Sequence, residues 1–302
     1  MTFSEASQHV RADSAGQVRV DALAMRVGSD DAQFPAALRF IPSPPEILWC
    51  SGRLPQPGQR VFAVVGARAA TRAGCDRAKD LARGLAQAGA AIVSGGALGI
   101  DAAAHEGALA EFAPTFAVLG CGTDVVYPDR HQDLFRRIAA TGGLLSEYPP
   151  GTPPRRGQFP ARNRIIAGLA EAVVIVEAAF RSGALITASL ARAFGRPLFA
   201  VPGSPGTDAL LRSGRALPAA SSDAVLGVLA GESTGPVAPP RAPDRFAVIL
   251  DAMQLGINSP ADLCKQVGMA LPSLLAVLAE AELEGFVKRA AGNTYEVIGR
   301  EY

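Results

Sequence analysis

The stretch best suited to holding an anion runs from Ala90 to Asp101, an apolar strand that passes through a glycine turn into an alanine-rich helix. Small residues at the strand end let the next helix begin close beneath it, so its first free N–H groups point at whatever anion lies above. Ser94-x-Gly96-x-x-Gly99 is the dinucleotide fingerprint with serine for its first glycine, in the strand-turn-helix setting it requires. A tight turn inside any parallel sheet meets the same pattern.

A second stretch adds positive charge. Between Glu147 and Glu171 there is no acid, but there are four arginines, Arg155, Arg156, Arg162 and Arg164, with Phe159 and Asn163 among them. Arginine meets phosphate and an aromatic ring stacks an unpaired base, so the set has the ingredients for single-stranded nucleic acid. The alternative is that Phe159 is core and the arginines pair with acids from elsewhere. Enzyme chemistry is less well supplied: Asp101 and His105 share a helical face at i and i+4, yet no GxSxG elbow or Walker A sequence occurs. Nothing nominates a nucleophile.

These residues need a scaffold, and the chain offers one. From Arg60 a strand-helix alternation begins, with strands at Val61 to Val65, Ile92-Val93, Thr115 to Leu119, Gly143 to Glu147, Val173 to Val176 and Leu198 to Val201. Helices are expected at Cys75 to Gln87, Ile100 to Leu109, His131 to Ala140, Arg162 to Ala170 and Leu185 to Phe194. Each strand is a continuous apolar run, as burial on both faces of a parallel sheet requires. Ligands of such sheets bind beyond the carboxyl ends of the strands. Gly66-Ala67-Arg68 and the glycine exit around Gly122 lie at two further ends.

With 302 residues and 49% hydrophobic content, about two domains with a real core are expected. Residues 1–59 read as a lead-in that packs on the sheet, its first 30 or so polar and partly disordered; Phe34 to Leu54, with four prolines, suggests a short helix, a turn and an edge strand. Residues 60–231 form the sheet domain, 232–243 a proline-rich linker, and 244–302 three helices and a hairpin, a winged helix. From Arg241 to Tyr302 six bases face eight acids, and the would-be recognition helix Leu271 to Glu284 has no base. A duplex would repel it, so a protein-contact or packing role is favoured.

The overall charge of +1 excludes a globally basic nucleic-acid binder and leaves room for a local patch. Four scattered cysteines and three distant histidines predict no metal site and no disulfide framework, and no cofactor is expected. With no signal peptide and no membrane-spanning run, the chain is expected in the cytoplasm.

Taken together, these residues resemble the DNA processing protein A (DprA, or Smf) family of recombination mediators in bacterial transformation. The carriers are Gly66-Ala67-Arg68, Ser94 to Asp101, Leu119 to Pro128, Ser146 to Pro154 with Phe159 to Leu169, Ser182 to Ala188 and Phe199 to Gly203. The resemblance implies an α/β fold: an extended Rossmann-like, mostly parallel sheet with helices on both faces, plus a small winged helix. It implies binding and protection of single-stranded DNA, loading of the RecA recombinase and homodimerisation, with no catalytic residues. Carried over, Arg68 grips a phosphate beside Gly66, and the Ser94-Gly95-Gly96 turn near Asp101 and Gly122 receives another. Arg156 and Phe159 flank the DNA pocket, while Arg162, Asn163 and Arg164 line or brace it. Leu98 stands where many members carry arginine, Thr207-Asp208 replaces a frequent Cys-Asn, and the extra N-terminal helical domain of some members is not expected. The runner-up is a nucleotide-processing enzyme like the phosphoribohydrolases, whose P-G-G-x-G-T-x-x-E element is missing near Glu177 to Gly183. A purely structural adaptor is the third reading.

Overall fold

The apolar runs form the centre of one nine-stranded sheet. The computed structural model describes residues 24–180, 182–231, 246–254, 256–283, 286–292 and 294–297. Expectations for residues 1–23 and for the linker 232–243 lie outside the described residues. In chain order the elements are β1 (Met25–Gly28), β2 (Ile47–Gly52), β3 (Val61–Val65), α1 (Arg72–Gln87), β4 (Ala91–Ser94), α2 (Ile100–Ala110) and β5 (Thr115–Leu119). There follow α3 (Gln132–Thr141), β6 (Gly143–Ser146), α4 (Gln158–Leu169), β7 (Ala172–Ile175), α5 (Gly183–Ala193), β8 (Leu198–Ala200), α6 (Pro205–Arg212), β9 (Leu217–Pro218) and α7 (Ser222–Leu229). A separate core unit holds α8 (Ala247–Gln254), α9 (Pro260–Val267), α10 (Leu271–Leu283) and the hairpin β10 (Val287–Ala290) and β11 (Thr294–Val297).

The strand order is β1-β2-β6-β5-β4-β3-β7-β8-β9, parallel except where β2 pairs with β1 and β6. Every residue of β3 to β8 is buried, and their side chains alternate between one core on one face of the sheet and two on the other. Ala63 and Val65 face α4 and α5 with Ile165, Ile166 and Leu185. Phe62 and Val64 face α1 and α2 with Leu81, Leu85, Ile100 and Ala104. The chain leaves β6 and returns beside β3 as β7, so the order reverses there. This is where open sheets present a crevice beyond their strand ends.

Two expectations change. β2 is interior, not an edge strand, because its prolines precede it and its backbone stays free to pair on both sides; β1, within residues expected to be irregular, covers it. α4 begins at Gln158 instead of Arg162, since Pro160 sits in the first turn, where its missing N–H costs nothing. Phe159 therefore stands on the helix. Thr207 and Asp208 also gain a physical account: Thr207 Oγ1 lies 2.7 Å from Ser204 Oγ in a capping box, and Asp208 accepts from Gly203 N at 2.8 Å. Among the described residues no single helix is long and apolar enough to cross a membrane.

Two positions test the packing. Gly107, within α2, lets α1 approach so closely that an added Cβ would lie 2.3 Å from Lys79 O. Alanine favours a helix by about 1 kcal/mol, yet the clash outweighs it, so Gly107→Ala is expected to destabilise by about 1–3 kcal/mol in denaturant titration. A neutral or stabilising result would contradict the close approach. Fully buried His105 has Nδ1 2.7 Å from Thr115 Oγ1, whose own proton goes to Ile92 O at 3.0 Å. Nδ1–H is therefore the donor, Nε2 has no partner among the described residues, and burial lowers the imidazole pKa to about 3. An unfolded chain protonates this group below about pH 6.5, so its contribution to stability is complete above that value and is lost as pH falls towards 3, with a slope up to about 1.4 kcal/mol per pH unit. Thermal melts over this window should fall less steeply for His105→Gln than for the wild type, and equal slopes would contradict the assignment.

Candidate nucleic-acid interface

Three strand exits and the start of α4 converge at one end of the sheet, and glycines let them touch. A Cβ on Gly66 would lie 2.6 Å from Ile100 Cγ1, and one on Gly99, whose φ is +74°, would lie 2.4 Å from Ala67 O. Any side chain there would push the β3 and β4 exits apart. Ser94 Oγ fastens the second exit to the first by donating to Val64 O at 2.7 Å.

Beneath the exits a buried carboxylate and a buried guanidinium are each tied to the backbone of the exits. The carboxylate of Asp101 accepts from Gly95 N at 3.1 Å and Ala97 N at 3.4 Å. Arg162, 4% exposed, donates through Nη1 to Gly95 O at 2.6 Å and to Val118 O, joining the β4 and β5 exits to α4. Burial raises the Asp101 pKa against the pull of Arg162 and the neighbouring amides. It lowers that of Arg162 to about 10, so the guanidinium stays charged at neutral pH. A Cβ on Gly95 would lie 2.5 Å from Asp101 Oδ2 and 2.6 Å from Arg162 Nη2.

The remaining arginines divide. Arg164 forms an ion pair with Glu147 and donates to Ser43 O at 2.9 Å, tying α4 to the β6 exit and to the lead-in. Asn163 accepts from Arg162 Nε at 3.2 Å and donates to Gly183 O at 3.3 Å. Arg155 and Arg156 are exposed. Arg68 is exposed too, with its guanidinium 5.1 Å above the Phe159 ring, and it enters no ion pair among the described residues. Phe159 is half-buried, packed over Gly120, where a Cβ would lie 2.8 Å from its Cδ1. On its other flank is Tyr127, 42% exposed, with ring centroids 5.5 Å apart.

Arg68, Phe159 and Tyr127 thus form a cation-aromatic cluster in which Arg68 and Tyr127 are exposed and the two rings are tilted by 39°. Gly122 belongs to the wall of this site: its N–H donates to Thr152 O at 2.9 Å, zipping the β5 exit to the loop before α4. Several expected contacts turn inward. Asp101 and Arg162 are buried and bonded within the fold, Arg164 is paired, and the Gly95 amide is taken by Asp101 in place of an outside anion. Asp101 and His105 do not act as a pair, since each has its own partner. Tyr127 was visible in the sequence only as one residue of a glycine-rich exit; its aromatic character next to Pro128 was the available signal.

The family profile described as DNA recombination-mediator protein A matches residues 26–228, and that of the DprA winged helix domain matches residues 232–293. Protein Smf of Synechocystis is 48% identical over 183 residues, 58% of this chain and 45% of the relative. The chain spans about half the length of the curated relatives it matches. The crystal structure of DNA processing protein A from Streptococcus pneumoniae superposes with a TM-score of 0.65 at 40% identity, covering 68% of this chain and 74% of that one. DNA processing protein A from Helicobacter pylori, described for its single-stranded DNA binding mode, superposes with a TM-score of 0.63 at 32% identity, covering 70% of this chain and 98% of that one. A profile match over 26–228, joined to this sheet and its exits, means that the chain belongs to the DNA recombination-mediator protein A family.

Proposed function

We propose that this chain binds single-stranded DNA across the β3, β4 and β5 exits, protects it, and loads the RecA recombinase onto it in transformation or recombination, acting as a homodimer and without catalysis. The observation that carries the reading is the exposed Arg68 guanidinium over the Phe159 ring. Arg68 grips a phosphate, and the exposed Tyr127 ring, with Phe159 once Arg68 swings off it, accepts an unstacked base, which a duplex keeps hidden. Arg156 adds charge at the loop that leads into α4. Gly66, Ser94, Gly96 and Gly122 shape the floor, and Asp101, Arg162, Asn163 and Arg164 brace it. The binding mode described for the Helicobacter pylori relative supports this choice of ligand.

A hydrolytic role fits less well. Glu177, near where a phosphoribohydrolase would carry its glutamate, accepts from Thr71 Oγ1 at 2.7 Å and from Thr71 N at 3.1 Å. Its carboxylate is bound at the N-terminus of α1.

Fluorescence titration with oligothymidine and its duplex across a salt series tests the proposal. The single strand is expected to bind more tightly. Arg68→Ala should weaken binding and reduce the log–log salt slope by about 0.7, the loss of one phosphate contact. Phe159→Ala should cost about 1–3 kcal/mol with the slope little changed, because stacking carries no counterion release. Equal affinity for duplex, or an undiminished Arg68→Ala, would contradict the reading. Arg164→Ala should act on the fold instead, lowering stability by about 2 kcal/mol through the partly buried pair with Glu147. Thermal melting without DNA checks this, and an unchanged midpoint would remove Arg164 from the brace.

A further inference from the structure

A second convergence of arginines lies away from the strand exits, where the winged helix meets the sheet domain. Asp251 of α8, whose side chain is 9% exposed, is contacted by Arg192 Nη1 at 2.8 and 2.6 Å and by Arg215 Nη1 at 3.5 Å. Arg192 lies in the last turn of α5, and Arg215 follows α6. A small cavity of about 50 Å³ adjoins them, lined also by Phe180, Ser189 and Ser213. Among its lining residues Asp251 is the sole acid, against two arginines. Phe180 is 60% exposed.

Without Asp251 this surface is two converging guanidinium groups, hydroxyls and an open aromatic ring. That composition repeats the one around Arg68 and Phe159. Guanidinium forks accept carboxylate and phosphate alike, so the group now seated on them marks the place of an anion. The carboxylate also comes from a separately cored unit, whose apolar hold on this face includes Val248 against Ala167, Ile186 and Leu190. The contact runs over α8 and α9 against α4 and α5, and it is what an entering strand must displace.

We propose that Arg192, Arg215 and Phe180 form a second phosphate-binding site for single-stranded nucleic acid, kept closed by Asp251 of the winged helix, which stands in for the phosphate. The acidic tail then acts as an internal competitor, and a strand that reaches past the first site releases it. The choice of ligand rests on the single-strand reading above.

Oligothymidine titration of the full chain tests this. Asp251→Ala is expected to bind about tenfold more tightly at low salt, the gain from one added charge-assisted contact. Its salt slope should steepen by about 0.7 for each phosphate gained. Adding Arg192→Ala and Arg215→Ala to that variant should abolish the gain. Asp80→Asn, the same charge change on exposed α1, should leave affinity nearly unchanged. If Asp251→Ala does not fold, Asp251→Asn is expected to move affinity and slope in the same direction by less. No gain, a gain that survives loss of both arginines, or an equal gain in Asp80→Asn would overturn the proposal. Wild-type binding without a gain in the Asp251 variants removes this site alone. Binding only by those variants keeps this site and removes the Arg68 site, and no binding by any form removes both.

Discussion

The structure of the site depends on one buried contact, the Arg162 guanidinium held between Gly95 O and Val118 O beside the Asp101 carboxylate. Burying a charge is costly unless it is paired and hydrogen-bonded, and here the β4 and β5 exits supply carbonyl partners for the guanidinium. Asp101 in turn collects the Gly95 and Ala97 amides. The turn that resembles a phosphate cradle is therefore braced by an acid and a base of the chain itself, and its geometry is set before any ligand arrives. Removing either charge would leave the other buried with uncharged partners alone.

From that contact the surface chemistry follows. With Arg162 and Arg164 committed to the interior and to Glu147, the groups left facing solvent are Arg68, Arg155, Arg156 and the aromatic pair Phe159 and Tyr127. Glycine at 66, 99 and 120 brings these elements close enough to share one surface, since a Cβ at each would meet backbone or ring atoms. A rigid floor and an exposed stack are what sequence-tolerant recognition of an unpaired strand needs.

Much of this was legible in the sequence, and the rest failed for definable reasons. Continuous apolar runs disclosed β3 to β8, because burial on both faces leaves no other pattern. The glycine exits were equally readable, since strand-turn-helix geometry demands small residues there. β1 was not, because Met25-Arg26-Val27-Gly28 covers an outer strand and carries no such run. The fates of the arginines were also hidden: four residues of one type within ten positions look alike until helix phase sends Arg162 inward and a distant Glu147 meets Arg164. Phe159 was expected either in the core or at a ligand. It is partly both, seated on Gly120 below and open to Arg68 above.

The central claim is that the β3, β4 and β5 exits and the start of α4 present one contact surface on a preformed floor. Hydrogen–deuterium exchange with and without saturating oligothymidine measures it most directly. The account predicts new protection confined mainly to residues 66–70, 95–102, 120–128 and 152–160, with the buried Gly95 amide slow to exchange even without DNA. Protection centred on α10 and the β10–β11 hairpin, with these exits unchanged, would contradict it.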